Sequence, residues 1–466
     1  MVFPGRSLNT RRFPTRSEPL MDETKQAAAI IRMLPQKDSK AADRYHASSD
    51  ETRQRVVGAL DQPGLALLTR TIKEAKKKKF DTAHRRFLRL AKGPIETPVY
   101  LLDETLIEEN MKVLRYIKDR TGCKVFHALK AYASFTTFPM MAEYLDGTCA
   151  SGLNEAMLGR KEFKKEVHTF SAAFRPAEIE AIVRYSDSLI FNSFYQLQRY
   201  GELARESGRD IGLRVNPGYA EVATEMYNPC APYSRLGIVQ AIFNREFPKY
   251  KKIVDGLHFH AMCQQNSDVL EKILAAFVKR YGRYIRGLKW VNFGGGHHIT
   301  RDDYDLERLI RLINDFRKTY GVQVILEPGE ASVLNAGVLM SAVLDIVKNR
   351  VEIAIMDTSA ETHMPDVLLM PYRPLVLDSG KRNEKKHRYR LAGPSCLAGD
   401  VIGDYSFDRP LKRGDRLVFT DMALYSIVKN TTFNGINLPD IAVIRAGGNV
   451  EIVKKFGYRD YRDRQS

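Results

Sequence analysis

The sequence predicts an α/β protein: a (β/α)8 TIM barrel followed by a mostly β domain and preceded by a basic N-terminal extension. Three observations carry this. From Thr97 onward, eight short apolar or β-branched runs alternate with amphipathic helix-length segments, the pattern of parallel strands joined by crossover helices. After Gly337 the helical repeats give way to strand-like runs separated by polar turns. From Met1 through Lys92 the composition differs again, with 21 Lys/Arg against 10 Asp/Glu.

Residues 1–92 are read as an extension, partly helical or disordered. "GRSLNTRRFPTRSEP" opens it, apolar patches "AAAIIRML", "VVGAL" and "LALLTRTI" follow, and "KEAKKKKF" and "HRRFLRLAKG" close it. Of the formal charge of +17, an excess of eleven lies in this fifth of the chain. Such a run reads as a solvated charged face or as a module for nucleic acid or an anionic surface. The early Arg/Ser segment also has the texture of a transit peptide, although acidic residues interrupt it from Glu18 onward. Residues 93–335 are assigned to the barrel, its strands being "KVFHALK", "GTCAS", "VHTFSAA", "SLIFNS", "IGLRVNP", "GLHFHAM", "KWVNFGGG" and "QVILEPG". Residues 336–466 form the β domain, with "VLMSAVLDIV", "VEIAIMD", "HRYRLAG", "DRLVFTDM" and "IAVIRAGG" as strands. No run approaches the roughly 18 apolar residues of a membrane helix, and no signal-peptide core is visible. The five cysteines are scattered without CxxC spacing, which points away from a zinc or disulfide framework and toward a reducing, cytoplasmic setting.

In a barrel, chemistry collects at the C-terminal strand ends. These are predicted to present Lys130, Ser151, Asn192, Arg214, His260, Gly294 to Gly296, and Glu327. A lysine buried among apolar neighbours loses its charge readily and becomes an amine nucleophile for Schiff bases. At a strand end it can equally serve solubility. "NFGGGHH" is either a flexible turn or a backbone cradle for phosphate. His258 and His260 share a strand face at a spacing compatible with metal ligation, but nearby acids do not complete a ligand set, so no metal is expected. Together the set suggests a phosphate-bearing cofactor anchored through a lysine.

The stretches "HALKA", "GLHFHAMCQQN", "VNFGGGHHITRDDYD", "LEPGEA", "MPDVLLMPYRP", "GPSCLAGDVIGDYSFD" and "KNTTFNGINLP" resemble, in this order, those of the carboxynorspermidine/carboxyspermidine decarboxylases. That family lies in the alanine-racemase-like, fold-type III class of pyridoxal 5′-phosphate enzymes. The resemblance runs from about Thr97 almost to the C-terminus. It implies a head-to-tail homodimer with shared active sites and a carboxylated polyamine as substrate. It implies that Lys130 anchors the cofactor, His260 stacks on its ring, Gly294, Gly295 and Gly296 bind its phosphate, and Glu327 pairs with its ring nitrogen. Tyr425 would contact the phosphate. Cys396 would be donated across the dimer interface as the acid that reprotonates Cα, with Asp400 on the same loop. Asp357, His363 and Asp366 are implied as pocket members, His363 being equally readable as a packed or capping histidine. Arg235 is either a supporting cation or half of a surface ion pair.

Where ornithine and diaminopimelate decarboxylases usually read EPGR, this chain reads "EPGE". Where diaminopimelate enzymes follow the interface cysteine with Glu, it has Leu397. Glu330 therefore favours a cationic, polyamine-like substrate, since carboxylates pair with ammonium groups, unless it faces solvent as a turn residue. The competing readings are decarboxylation of another basic amino acid, ornithine or diaminopimelate, and a catalytically inactive homologue that binds the cofactor. On this reading a chain lacking the residues before Lys92 keeps its turnover.

Overall fold

The computed structural model describes residues 22–36, 39–222 and 224–466. They divide into two compact units that meet between Thr71 and Ile72 in the sequence. The described part of the first unit is helical: α1 (Glu23–Met33), α2 (Lys40–Ala47), α3 (Asp50–Ala59) and the start of the long α4 (Gln62–Leu90). Asp22 caps α1 by accepting from the Thr24 N–H at 3.0 Å, and Ser49 caps α3 by accepting from the Thr52 N–H at 3.1 Å. The arginine-rich opening and its transit-peptide reading lie outside the described residues.

In the second unit a strand β1 (Val99–Asp103) precedes eight strands that close into a parallel barrel. These are β2 (Lys124–Ala128), β3 (Gly147–Ala150), β4 (Glu166–Phe170), β5 (Ser188–Phe191), β6 (Asp210–Arg214), β7 (Gly256–His258), β8 (Trp290–Asn292) and β9 (Gln323–Leu326). Each falls within one of the eight runs expected, or within a residue or two of it. Phe126, Ile190, Trp290 and Ile325 fill the barrel interior. The indole needs room: a Cβ on Gly256 would stand 2.1 Å from Trp290 Cδ2, and one on Gly212 2.5 Å from Cη2.

The other sheet holds β10 (Gly337–Asn349), β11 (Val351–Met356), β12 (His387–Ala392), β13 (Val401–Phe407), β14 (Arg416–Thr420), β15 (Asp440–Ile444) and β16 (Val450–Lys454). Its order is β13-β12-β11-β10-β1-β15-β16, with β14 also paired to β10. Tyr100, Leu339, Met356, Tyr405 and Phe419 belong to its buried core. The expected boundary at residue 93 needs correcting here. Val99 pairs antiparallel with Met340 and parallel with Asp440, so β1 is part of the sheet domain although it precedes the barrel. All five of its residues are buried, and a short apolar run does not reveal which sheet will bury it.

The boundary at 92 shifts as well, because the second half of α4 is built into the main unit. Lys79 Nζ lies 2.8 Å from Glu109 Oε1, and Arg86 pairs with the fully buried Asp103, which N-caps helix α5 (Glu104–Thr121). Lys76 is buried over the Phe80 ring at 4.1 Å. Within "KKKK", then, Lys77 and Lys78 are exposed while Lys76 and Lys79 are used internally. Truncation before Lys92 is therefore expected to destabilise the main unit by about 2–4 kcal/mol, because it leaves Asp103 buried without its cation. Thermal unfolding checks this; an unchanged Tm contradicts it. No helix among the described residues is long and apolar enough to cross a membrane.

Candidate active site

The C-terminal mouth of the barrel opens into a cavity of about 660 Å³ lined by Lys130, Arg214, His260, Gly296, Glu327, Glu330 and Tyr425 among others. Residues distant in sequence meet there because each follows or ends a short strand. Lys130 lies two residues beyond β2, on a turn held by the Ala131 N–H donating to Ala128 O at 3.1 Å. Leu129 and Ala131 are buried on either side, but Lys130 itself is exposed to the cavity. The expectation of a buried lysine is thus corrected: the strand has ended, and the side chain enters open space. Tyr425 is tied to the same turn, its N–H donating to Ala131 O at 2.7 Å.

His260 follows β7 and faces the glycine turn after β8. The Gly295 N–H donates to its Nδ1 at 2.9 Å, which leaves Nε2 to carry the ring proton. Burial holds the imidazole well below its ordinary pKa, and the cations of Lys130 and Arg214 push it the same way. A neutral imidazole with a fixed ring plane results. The Gly294 N–H is also committed, donating to Asn292 Oδ1 at 2.8 Å. Of the three glycines, Gly296 is the one that lines the cavity. The phosphate-cradle expectation is therefore narrowed: the Gly294 and Gly295 amides fix side chains, and Gly296 is left to meet a ligand. Gly296 has φ +80°, and a Cβ there would stand 2.0 Å from Met262 O, so the turn requires glycine.

Glu327 is 8% exposed at the base of the cavity. Burial pushes its carboxyl pKa up, while a 2.6 Å hydrogen bond from Asn292 Nδ2 to Oε1 and the nearby His168, Lys130 and Arg214 pull it down. His258 Nε2 lies 3.5 Å from Glu327 Oε2, yet neither ring nitrogen of this buried histidine has a hydrogen-bond partner. Arg214 stacks 4.5 Å from the Phe170 ring centroid, and burial lowers its pKa to about 10. An amine, an imidazole face, a buried carboxylate and a glycine turn suit a planar heteroaromatic ring that carries an aldehyde, a basic nitrogen and a phosphate.

A second cavity of about 510 Å³ adjoins the first and shares Tyr227, Cys263, Gln264, His298, Glu330 and Tyr425 with it. Glu330 is paired with His298 Nε2 and accepts from Gln264 Nε2 at 3.3 Å, so it lines the site rather than facing bulk solvent. Asp366 and Asp421 line the second cavity, Asp366 bound to Lys429. Asp421 accepts from the Asn335 N–H at 2.7 Å, and burial raises its pKa to about 6. Sequence reasoning missed Asp421, Tyr227 and His298. The second histidine of "GGGHH" was a readable signal; the placement of Asp421 rests on a positive φ of 58° that no spacing reveals.

Several expected pocket members prove to be structural. Asp357 accepts from Thr97 Oγ1 at 2.6 Å, Ser341 Oγ at 2.7 Å and the Ala342 N–H at 2.9 Å. His363 is fully buried, with Nδ1 2.9 Å from Thr358 Oγ1 and Nε2 3.1 Å from Asn437 O; burial lowers its pKa to about 4. Asp400 is 3% exposed and accepts from the Ala360 N–H at 2.8 Å and from Ser395 Oγ at 2.7 Å, which shapes the loop bearing Cys396. Each carboxylate or ring is occupied by local donors or acceptors, which corrects its assignment to substrate. Cys396 is exposed, with its N–H donating to Asn434 Oδ1 at 2.8 Å, and it does not line the cavity of its own chain. Ser151 and Asn192 also stay outside the cavity lining, whereas Arg235 joins it. Asn192 accepts from the Gly237 N–H at 2.7 Å and so shapes the neighbouring loop.

Residues 45–423 match the family described as "Pyridoxal-dependent decarboxylase, C-terminal sheet domain". The carboxynorspermidine/carboxyspermidine decarboxylase of Campylobacter jejuni is 43% identical over 378 residues, 79% of this chain and 98% of its own. The carboxyaminopropylagmatine decarboxylase of Synechocystis is 39% identical over 372 residues, 79% of this chain and 95% of its own. The crystal structure of Campylobacter jejuni carboxynorspermidine decarboxylase complexed with norspermidine superposes with a TM-score of 0.75 at 41% identity, covering 80% of this chain and 100% of that one. Diaminopimelate decarboxylase from Helicobacter pylori, at 18% identity and a TM-score of 0.70, shares the fold over 80% of this chain and 98% of its own. With a barrel-mouth lysine, a glycine turn and a buried glutamate in common cause, and with matches of this extent, the chain belongs to the pyridoxal-dependent decarboxylase family.

Proposed function

We propose that this protein releases CO2 from carboxynorspermidine or carboxyspermidine, giving norspermidine or spermidine in polyamine biosynthesis, with pyridoxal 5′-phosphate held at the barrel mouth. The observation that carries the substrate class is Glu330, seated in the wall between a cavity bearing Lys130 and Glu327 and a second one bearing Asp366 and Asp421. A long cationic chain whose reacting end lies near Lys130 meets carboxylates along the rest of its length. The Campylobacter relative whose structure holds norspermidine supports the same class.

The bound cofactor supplies the electron sink that takes up the charge left at Cα when CO2 departs. This chain does the rest. Lys130 would hold the cofactor through its amine, Glu327 would favour a proton on the ring nitrogen, and neutral His260 would offer its face to the ring. Gly296 and Tyr425, both in the cavity wall, would meet the phosphate. Cys396, exposed on the loop after β12, is the proton donor to Cα of the neighbouring subunit's substrate in a homodimer with shared sites. Five free cysteines accord with a cytoplasmic setting.

A second reading has a specific observation behind it. The Synechocystis relative is a carboxyaminopropylagmatine decarboxylase; the agmatine part of that substrate is a guanidine, and a carboxylate such as Glu330 would accept a guanidinium in a bidentate pair. Steady-state kinetics on Glu330→Arg test the role of Glu330 that both readings share. We expect KM for carboxynorspermidine to rise by roughly ten-fold or more, since an attractive charge becomes repulsive beside the ammonium chain. An unchanged KM removes Glu330 from substrate recognition.

A further inference from the structure

We propose that α4 is a positioning strut for the active site, setting through Lys73 and Lys76 the placement of the His298–Glu330 pair that meets the substrate's cationic tail. The inference rests on the assignment of Glu330 to that tail.

The contact runs through the loop that follows β8. Lys73 Nζ donates to the backbone carbonyl of Tyr304 at 3.0 Å. One helical turn on, Lys76 Nζ lies 3.9 Å from Asp302 Oδ1. Tyr304 is fully buried, and its hydroxyl is 3.3 Å from His297 Nδ1 at the cavity end of the same loop. Arg301, between these points, reaches His298 Nδ1 at 3.4 Å and Gln264 O at 3.4 Å. With Arg301 donating to Nδ1, His298 Nε2 is the donor that faces Glu330. Thr300 Oγ1 donates to Ala331 O at 2.7 Å, tying the loop to the short helix Glu330–Val333. The outer side of the loop thus rests on α4 and its inner side holds the carboxylate in the cavity wall.

The lysines are placed for this purpose and not for solubility. Lys76 is 5% exposed, and burying an ammonium is costly unless it is paired or stacked. The Phe80 ring at 4.1 Å and Asp302 supply both. A loop carbonyl bound by an ammonium is also held more firmly than one bound by water, since charge-assisted hydrogen bonds are the stronger kind.

The test uses the full chain loaded with pyridoxal phosphate. In Lys73→Met we expect KM for the preferred carboxylated polyamine to rise roughly five-fold, equivalent to about 1 kcal/mol, with kcat unchanged. Lys73→Arg should restore the KM. A double variant with Glu330→Gln should be no worse than Glu330→Gln alone, because both changes act on one contact. Hydrogen exchange should quicken at the amides of residues 301–305 in Lys73→Met and in Lys76→Met. Multiplying KM effects in the double variant, or unchanged exchange in the loop, overturns the proposal. If Glu330→Gln by itself leaves KM unmoved, the substrate reading fails, and the exchange data alone then decide whether the strut exists.

Discussion

Lys130→Ala is expected to abolish CO2 release, lowering kcat by at least about three orders of magnitude, as removal of a covalent anchor does. The loss should be chemical and not conformational. Lys130 is exposed to the cavity, so truncating it leaves the packing of Leu129, Ala131 and Tyr132 untouched. Exposed positions of this sort change stability by about 0.5 kcal/mol or less. Compared without cofactor, the variant and the wild type should therefore unfold at the same temperature, while the variant supplied with cofactor lacks turnover and the visible absorbance of a lysine-bound cofactor. Substantial residual turnover would remove Lys130 from the chemistry.

Glu327→Gln should lower kcat by roughly a hundred-fold, the size of effect seen when one preorganised electrostatic partner is removed from a buried site. Glutamine keeps an oxygen to accept from Asn292 Nδ2, which donates to Glu327 at 2.6 Å, so the local framework survives. What is lost is the negative charge that would hold a proton on the ring nitrogen. Glu327 is suited to this role because burial raises its pKa while nearby cations lower it, a balance that an added cationic ring tips toward the carboxylate. Cofactor content should change little, because Lys130 is unaffected. A kcat within about two-fold of wild type would mean that the ring needs no such partner.

The barrel was legible because its signal is periodic. All eight parallel strands fall on apolar runs separated by helix-length amphipathic segments, and the strand ends then named Lys130, Arg214, His260, the glycine turn and Glu327. The sheet domain was legible in part. β1 joins it across more than two hundred residues of intervening chain, and no local pattern encodes such a pairing. β13 and β16 also escaped. β13 has Gly403 and Asp404 in its middle, and β16 is largely exposed, so neither reads as a buried apolar run.

Site assignment failed where resemblance outran geometry. Asp357, His363 and Asp400 sit in stretches that match the family, yet each is occupied by local hydrogen bonds, which a one-dimensional motif does not display. The glycine turn illustrates the same limit. Three glycines suggest three free amides, but two of these orient Asn292 and His260, and those side chains in turn reach Glu327 and the cavity. The basic run of α4 was misread for a related reason. Composition records charge, whereas Lys79 and Arg86 have buried acidic partners in Glu109 and Asp103.

The central claim is that Lys130, Glu327 and Glu330 form one site for a carboxylated polyamine. It is tested most directly by CO2 release from purified, pyridoxal-phosphate-loaded protein. Carboxynorspermidine, carboxyspermidine, carboxyaminopropylagmatine, ornithine and diaminopimelate would be offered in parallel. Preference for carboxynorspermidine or carboxyspermidine is expected, with the activity abolished in Lys130→Ala. Preference for ornithine or diaminopimelate, or no turnover of any substrate with the cofactor bound, would contradict it.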